Sequence, residues 1–488
     1  MTEFDLLVLG GGTGNVVASA AAEEGLDVAL VERDRLGGTC LNRGCNPSKK
    51  LIHRADVAET VRRAGALGVE ASVEDIAFAD VVDEVNEKIT NAAESKAETA
   101  RESDRITFFQ AEGRFVDERT VEVDAGEVSG PTSDAGAGVG DDATGPEELT
   151  AEKVVLAGGS RPMIPDSIEG TDDVDFLTSA DALRLRERPD RLVIAGGGYI
   201  AVELGHFFGA MGTDVAIVGR GDVLLGREDR DVAEFVTGAY AERHEVHTGY
   251  EVTELAEGEV DDAEEGADEG TKLVRAESEG GEELELRGDE VLLATGRRPN
   301  SDSWNVEAAG VDTDEKGFVE TDEYLRTSTD DVWAIGDIAG NYMFKHSGDR
   351  EAEFAVRNAV RGERASVDYP GMAHAVFGSP QVGSLGETEG DLNRDDYDVG
   401  TFAYDDTALG SALVEEGFAK VLAAKDGEVL GFHVVGPHAS MLVHEVATAV
   451  AAGADADRIA ETIHVHPALS EVVQGAFREA RGHPPTGI

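Results

Sequence analysis

Cys40 and Cys45 are the only cysteines in the 488-residue chain. They stand five positions apart in GGTCLNRGCNPSK, residues 37–49, bracketed by glycines. Five residues of regular helix advance about 7.5 Å along the axis, whereas the Cα atoms of a disulfide lie about 4.4–6.8 Å apart. If the two bond, the stretch must bend rather than run as helix, and Gly37, Gly38 and Gly44 supply the permissive backbone. A helix can then start only near Cys45, with Pro47 in its first turn and the run from Ser48 onward at helical spacing. That puts Cys45 at a helix N-terminus, where the dipole favours a thiolate. A staple closing so short a loop would constrain little of a chain this long, and two thiolates alone make a poor zinc site. The spacing favours a redox pair over either alternative, and no metal centre is expected.

A redox pair needs an electron source, and two stretches of the chain resemble one another in a way that supplies it. They are LLVLGGGTGNVVASAAAEEGLDVALVER and LVIAGGGYIAVELGHFFGAMGTDVAIVGR. Each reads strand, glycine turn, helix, strand, the unit that sets a pyrophosphate on a helix N-terminus. One glycine pattern is weak; two in register are strong. In the first copy Gly10 and Gly12 fill the opening positions, Gly14 follows, and Asn15 stands where the third motif glycine is expected. The second copy offers Gly196 and Gly198, with Tyr199 opening the helix. The copies diverge where specificity is set. The first ends in Glu32, placed to accept hydrogen bonds from a ribose 2′-hydroxyl; the second has Gly219 there, with Arg220 next and Arg227 on the same loop. A carboxylate repels a 2′-phosphate and an arginine binds one in bidentate fashion. Because Arg33 also follows Glu32, the lost acid together with Arg227 carries the inference. The first site reads as an FAD site and the second as an NADPH site.

The surface sets further bounds. Asp and Glu number 100 against 42 Lys and Arg, a formal net charge of -58. Such repulsion strains a compact fold in dilute buffer, but at molar salt the screening length falls to about 3 Å, so the composition reads as adaptation to a very salty cytoplasm. A disordered acidic chain is excluded by a 41% hydrophobic content and long periodic segments. Nucleic acid is an improbable partner for this surface. MTEFDLLVLGGG opens directly on a buried-type strand without a basic n-region or cleavage site, and no apolar run reaches membrane length. A cytoplasmic location with no membrane partner is expected.

Between the nucleotide units, EVDAGEVSGPTSDAGAGVGDDATGPEEL is low-complexity and acidic, an enlarged hairpin loop in a small β-meander, and EGEVDDAEEGADEG is a second acidic insertion. VVLAGGSRP and VLLATGRRPN mark strand ends where the chain crosses between nucleotide domains. From about Ser366 an apolar strand set and helices such as SMLVHEVATAVAAGA indicate a further domain.

Together these features resemble the pyridine nucleotide-disulfide oxidoreductases, among them glutathione reductase, dihydrolipoyl dehydrogenase, mycothione reductase and mercuric reductase. The likeness spans essentially the whole chain: the early glycine motif, GGTCLNRGCNPSK, GGGYIAVE, ATGRRPN, AIGD and HVHPALSE occur in that order. It implies an α/β fold with two Rossmann-like nucleotide-binding domains, for FAD and NADPH, and a C-terminal α+β dimerisation domain. The expected boundaries are 1–162 and 292–366 for the FAD and central parts, 163–291 for NAD(P), and 367–488 for the interface. The resemblance makes Cys45 the flavin-facing thiol and Cys40 the one that attacks substrate. It puts Lys49 near the flavin N5, paired with Glu203, and Gly38, Thr39 and Asp337 at FAD. Tyr199 becomes a lid over the nicotinamide pocket, with Gly296 and Arg297 at NADPH. In HPALSE, His466 precedes Glu471 by five residues; the resemblance sends this histidine into the partner subunit's active site, held by its glutamate, to protonate a departing thiolate. An obligate two-fold homodimer with shared sites follows.

Substrate choice narrows by elimination. The chain ends GHPPTGI with no cysteine, which argues against mercuric reduction and against a thioredoxin reductase that reaches protein through a C-terminal pair. A small-molecule disulfide is expected. Where glutathione reductases anchor substrate carboxylates with arginine, this chain has Ala20 and Glu353. NYMFKHSGDREAE looks more like the dihydrolipoyl dehydrogenase and mycothione reductase branch, yet lipoamide enzymes use NADH. A thiol like glutathione but lacking its glycine reconciles NADPH with the missing anchor. In halophiles that thiol is γ-glutamylcysteine, so bis-γ-glutamylcystine reductase is the leading expectation. Dihydrolipoyl dehydrogenase is the alternative, and a flavoprotein oxidase, which needs neither a second cysteine nor His466, a remote one. Asn46, where relatives carry an aliphatic residue, is unexplained.

Overall fold

The computed structural model describes residues 2–124, 127–129, 146–258 and 271–484. It groups into two compact units. One comprises Met1–Pro47, Asp83–Met163 and Arg297–Tyr369; the other comprises Ser48–Val82, Ile164–Gly296 and Pro370–Ile488. The joints between them fall at 163/164, 296/297 and 369/370. Residues 48–82 group with segments 164–296 and 370–488.

The first unit is built on a parallel sheet. The strand Thr2–Leu9 pairs with Val28–Val31 on one side and with Glu147–Leu156 on the other. Ile106–Gln110 extends the sheet beyond Val28–Val31, and Val332–Ala334 extends it beyond Glu147–Leu156, all in parallel. Both faces are covered, so the strands read as continuous apolar runs. Leu6 and Val8 face one core with Val28 and Leu30, and Leu7 and Leu9 face the other with Ala29 and Val31. A short meander, Gly113–Phe115 and Thr120–Val123, adds antiparallel to Glu147–Leu156. The first acidic insertion follows Thr120–Val123 and precedes Glu147–Leu156, but instead of the expected hairpin loop its described part, Glu127–Ser129, pairs antiparallel with Ile106–Gln110 at the other edge of the sheet; most of the rest lies outside the described residues. The helix Gly14–Glu23 packs Val17, Ala18 and Ala21 onto the sheet.

The second unit repeats the scheme. Arg191–Ala195 lies between Asp214–Gly219 and Glu290–Leu293, with Glu245–Thr248 beyond Asp214–Gly219, all parallel. The helix Tyr199–Met211, YIAVELGHFFGAM, is apolar nearly all round and correspondingly buried nearly all round. The hairpin Tyr250–Glu257/Lys272–Ser278 flanks the second acidic insertion, which lies outside the described residues from 259 to 270. The C-terminal part is a five-stranded antiparallel sheet in the order Ala373–Val376, Val382–Gly386, Val429–Val435, Phe418–Ala424, Tyr397–Ala403. The helices Ala439–Ala451, Ala456–Glu461 and Glu471–Ala480 cover it through Val443, Ile459, Val472 and Phe477. The fold class is that expected, mixed α/β with two Rossmann-like units and a C-terminal α+β part.

Candidate active site

The cysteine segment differs in one respect from its sequence reading. Cys40 sits in a short helix of its own, Gly38–Arg43, and a second helix, Cys45–Arg63, begins at Cys45. The bend is concentrated at Gly44, at φ -141° and ψ -121°. A β-carbon there would come within 2.9 Å of the Thr39 carbonyl oxygen and 3.3 Å of Cys40 Cα, so the turn needs glycine for space. The helical axis breaks once between the two cysteines, the bend that a bonded pair would require. Gly37 and Gly38 enter the turn at φ +110° and +63°. Asn42, which sequence reasoning missed, is buried and donates its Nδ2 to the carbonyl oxygens of Arg35 (2.9 Å) and Gly38 (3.1 Å), holding that entry.

Both cysteines are free thiols, Cys40 half-buried and Cys45 exposed. The hydrogen bond to Cys45 pushes the Cys40 thiol well above its usual range, and burial and the charge on Cys45 add to the effect. A thiol so placed needs a base to ionise it. Asn46 is exposed, and nothing in the structure explains it.

In the first unit, Gly10 has φ +101°, and a β-carbon on it would lie 2.2 Å from the Ala157 carbonyl oxygen. A β-carbon on Gly38 would lie 2.7 Å from Gly12 Cα. The missing third motif glycine is accounted for by Gly14, whose β-carbon would crowd Val8 (2.7 Å) and Ala157 (2.9 Å); the close helix-to-strand packing is made one residue early. Glu32 accepts from the N–H groups of Gly11 (2.8 Å) and Asp34 (2.9 Å). Burial nonetheless raises its carboxyl above the usual range. Asp337, also raised by burial, accepts from the Ser160 hydroxyl at 2.5 Å. Arg297, expected at the NADPH site, lies in this first unit and donates to the Ser160 hydroxyl (2.8 Å) and carbonyl (2.7 Å). Its separation in sequence, 137 residues from Ser160, hid that partnership. Glu351, another missed residue, accepts from the Gly336 N–H and the Tyr369 hydroxyl and fixes the turn carrying Asp337. A side-chain-free cradle of Gly10, Gly12 and Gly38 at the head of a ten-residue helix, with an acid at the next strand end, fits FAD.

The strand register of the second unit matches that of the first. Leu9 is paired with Val31, and Glu32 follows; Ala195 is paired with Val218, and Gly219 follows. Gly196, at φ +134°, would bring a β-carbon within 2.3 Å of the Ala294 carbonyl oxygen. Gly198 caps the helix Tyr199–Met211 and faces open space. Gly296 is at φ +124°. The loop after Gly219 is tied to the motif by Leu225 N–H donating to the Gly197 carbonyl at 2.7 Å. Arg220 is 81% exposed, 3.7 Å from Glu251, and Arg227 and Tyr199 are also exposed.

Lys49 and Glu203 form an ion pair at 2.5 Å, with the carboxylate nearly buried. Lys49 stands one turn after Cys45 on the same helix, and Glu203 lies on the helix Tyr199–Met211. His466 and Glu471 meet at 2.8 Å through Nδ1 and Oε1, and the Ala468 N–H donates to the other carboxylate oxygen at 3.0 Å. Burial opposes the charge on Glu471, but these two contacts outweigh it and hold its carboxyl below the usual range. The imidazole is 56% exposed. Among the described residues no cluster of three or more His, Cys, Asp or Glu is placed to hold a metal ion, and no helix is long and apolar enough to cross a membrane.

The sequence model of the pyridine nucleotide-disulphide oxidoreductase family matches residues 4–359, and that of its dimerisation domain matches residues 372–477. The chain belongs to this family. Dihydrolipoyl dehydrogenase 2 of Haloarcula marismortui is 37% identical over 489 residues, covering 99% of this chain and 97% of that protein. Mycothione reductase of Mycobacterium tuberculosis is 33% identical over 487 residues, covering 98% and 99%. The HOCl-induced flavoprotein disulfide reductase RclA from Escherichia coli shares the fold, with a TM-score of 0.80 at 24% identity over 97% of this chain and 99% of that one. Members of this oxidoreductase family act on sulfur groups and bind FAD and a pyridine nucleotide, and the dimerisation domain indicates a homodimer. The halophilic reading of the net charge fits the haloarchaeal relatives.

Proposed function

We propose that the protein is an NADPH-dependent flavoprotein that reduces a low-molecular-weight disulfide, bis-γ-glutamylcystine in the first instance, to its thiols. The observation that carries the coenzyme choice is Gly219 standing where Glu32 stands in the first unit, with Arg220 and Arg227 exposed on the loop that follows. The chain therefore offers no carboxylate to repel a 2′-phosphate at that strand end and two cations to meet it. Bound FAD supplies the two-electron relay between pyridine nucleotide and cysteines. Gly10, Gly12, Gly38, Glu32 and Asp337 hold it. Tyr199 shields the nicotinamide pocket, and Lys49 with Glu203 supplies a fixed positive charge beside the reacting end of the cysteine helix.

With the pair reduced, Cys40 attacks one substrate sulfur as a thiolate, forming a mixed disulfide and expelling the other half as a thiolate. Cys45 then attacks Cys40 and releases the second half, restoring the intramolecular disulfide. The hydrogen bond to Cys45 and burial raise the Cys40 thiol above its usual range, and a base that takes its proton can return it to the first leaving thiolate. His466 of the partner subunit, oriented by Glu471, serves in that role. The net change is one disulfide, one NADPH and one proton to two thiols and NADP⁺.

The substrate reading rests on Ala20 and Glu353 occupying the positions of the glutathione carboxylate anchors. A specific observation favours a second reading, NAD-linked oxidation of dihydrolipoamide: several haloarchaeal relatives are named dihydrolipoyl dehydrogenases. Initial rates in molar KCl, with NADPH and NADH each run against bis-γ-glutamylcystine, glutathione disulfide and lipoamide, decide between them. NADPH with bis-γ-glutamylcystine should give the highest kcat/KM. The highest value with NADH and lipoamide would install the alternative.

A further inference from the structure

The ion pair of Lys49 and Glu203 is completed by a residue from the C-terminal sheet. Phe377 directly follows the strand Ala373–Val376. Its ring lies under Lys49, with Nζ 4.8 Å from the ring centroid. Its backbone N–H donates to Glu203 Oε1 at 3.1 Å, while Glu203 Oε2 holds Lys49 at 2.5 Å. Two features of one residue therefore fix both members of the pair: the ring face attracts the ammonium through its quadrupole, and the amide uses the carboxylate oxygen that Lys49 leaves unused. Lys49 retains about a third of its side-chain exposure, so its ammonium needs such a partner to hold one position rather than sample solvent.

The segment carrying Phe377 has little freedom. A β-carbon on Gly378 would lie 2.7 Å from both the Tyr240 hydroxyl and Val202 Cγ1. Tyr240 is fully buried and donates to the Val202 carbonyl at 2.7 Å, one residue before Glu203. On the same strand, His374 meets Glu228 at 2.7 Å, next to Arg227. The strand is thus pinned at one end to the Arg227 loop and at the other to the helix bearing Glu203.

We propose that Phe377 is a positioning residue for the Lys49 charge, and that the C-terminal sheet, besides forming the dimer, sets the rate at which electrons enter the flavin. This rests on the reading of Lys49 and Glu203 given under the proposed function. It concerns the reductive half-reaction alone, so it stands or falls independently of which disulfide is the substrate.

The test uses FAD-loaded enzyme in molar KCl, with anaerobic stopped-flow reduction by whichever pyridine nucleotide the wild type prefers and the flavin visible spectrum as a second readout. Phe377→Leu keeps the backbone N–H and most of the apolar volume but removes the ring face. It should slow flavin reduction roughly two- to thirty-fold and shift the flavin visible band, leaving kcat/KM for the disulfide unchanged. Phe377→Tyr, which keeps the face, should restore both. Lys49→Met should slow reduction further, and adding Phe377→Leu to it should change nothing more. If Phe377→Leu loses flavin, Phe377→Met in its place reports the same quantities. Unchanged reduction and spectrum in a flavin-replete Phe377→Leu enzyme would overturn the proposal. So would a Tyr variant as slow as Leu, or multiplicative effects in the double variant. A Lys49→Met enzyme with wild-type reduction and spectrum would overturn the underlying reading of the ion pair, and this inference with it.

Discussion

Converting the second nucleotide site into a copy of the first is the sharpest use of the internal repeat, and the structure says what each change should do. In Gly219→Glu the new β-carbon would lie 3.4 Å from Gly197 Cα, an ordinary contact, so the β-carbon is accommodated without moving the motif. Its carboxylate can then receive the Gly197 N–H as Glu32 receives that of Gly11. Arg220→Ala and Arg227→Ala remove two cations from the loop. A hydrogen bond to a charged group is worth about 1.5–3 kcal/mol, but Arg220 is 81% exposed and already within 3.7 Å of Glu251. At an exposed site about 1 kcal/mol each is the realistic figure, and repulsion between the new carboxylate and a 2′-phosphate adds about 1 kcal/mol at 4 Å in water. The triple variant should therefore shift the ratio of kcat/KM for NADPH over NADH by about 3 kcal/mol, two orders of magnitude or so, toward NADH. At molar KCl the screening length is near 3 Å, so both the repulsion and the exposed arginine contacts weaken, and the shift shrinks well below that value. The assay is the coenzyme ratio at one fixed disulfide and two high KCl concentrations. A wild type that already prefers NADH, or a triple variant whose ratio stays within about threefold of wild type, refutes the reasoning; so does a shift that grows with salt.

Three other perturbations probe different parts of the account. His466→Ala should slow disulfide reduction about a hundredfold or more while leaving flavin reduction by NADPH intact. Mixing it with inactive Cys40→Ser should restore turnover through hybrid dimers, and no rescue after proven subunit exchange would count against a shared site. Lys420, 1% exposed and bonded to Asp229, Asp231 and Glu389 at 2.6–2.7 Å, should prove structurally indispensable. Lys420→Met leaves the fully buried Asp229 unpaired, costing about 3–5 kcal/mol in denaturant unfolding, a loss that rising KCl should not repair. Removing the half-exposed partner in Arg361→Ala, paired with Glu24 at 3.0 Å, should cost under about 1 kcal/mol and vanish at molar salt.

Both nucleotide units were legible in the sequence because their signals are local. Strands buried on both faces leave unbroken apolar runs, and a strand-to-helix turn without room for a β-carbon leaves glycine. The equivalence of Glu32 and Gly219 could be read from the repeat for the same reason, since parallel register carries each strand one residue past its partner's end. The helix Gly38–Arg43 was not legible, because six residues are too few to establish a helical period and its flanking glycines read as loop. Pairings across long stretches of chain escaped altogether. Phe377 meets Glu203 across 174 positions and Arg297 meets Ser160 across 137, and no local pattern marks either pairing. The grouping of residues 48–82 with the second unit is hidden likewise, since it depends on contacts such as His206 with Asp56, 150 positions apart; the Lys49–Glu203 pair, 154 positions apart, was reached only through the family resemblance.

The most direct test of the central claim, that Cys45 exchanges electrons with the flavin and Cys40 with the disulfide, is the long-wavelength absorbance of the two single-cysteine variants. Cys40→Ser, made anaerobic in molar KCl and brought to the pH where the remaining thiol ionises, should show a thiolate-to-flavin band and no disulfide turnover. Cys45→Ser should show neither. A Cys45→Ser enzyme that keeps the band, or a Cys40→Ser enzyme that still turns over the disulfide, would contradict the account.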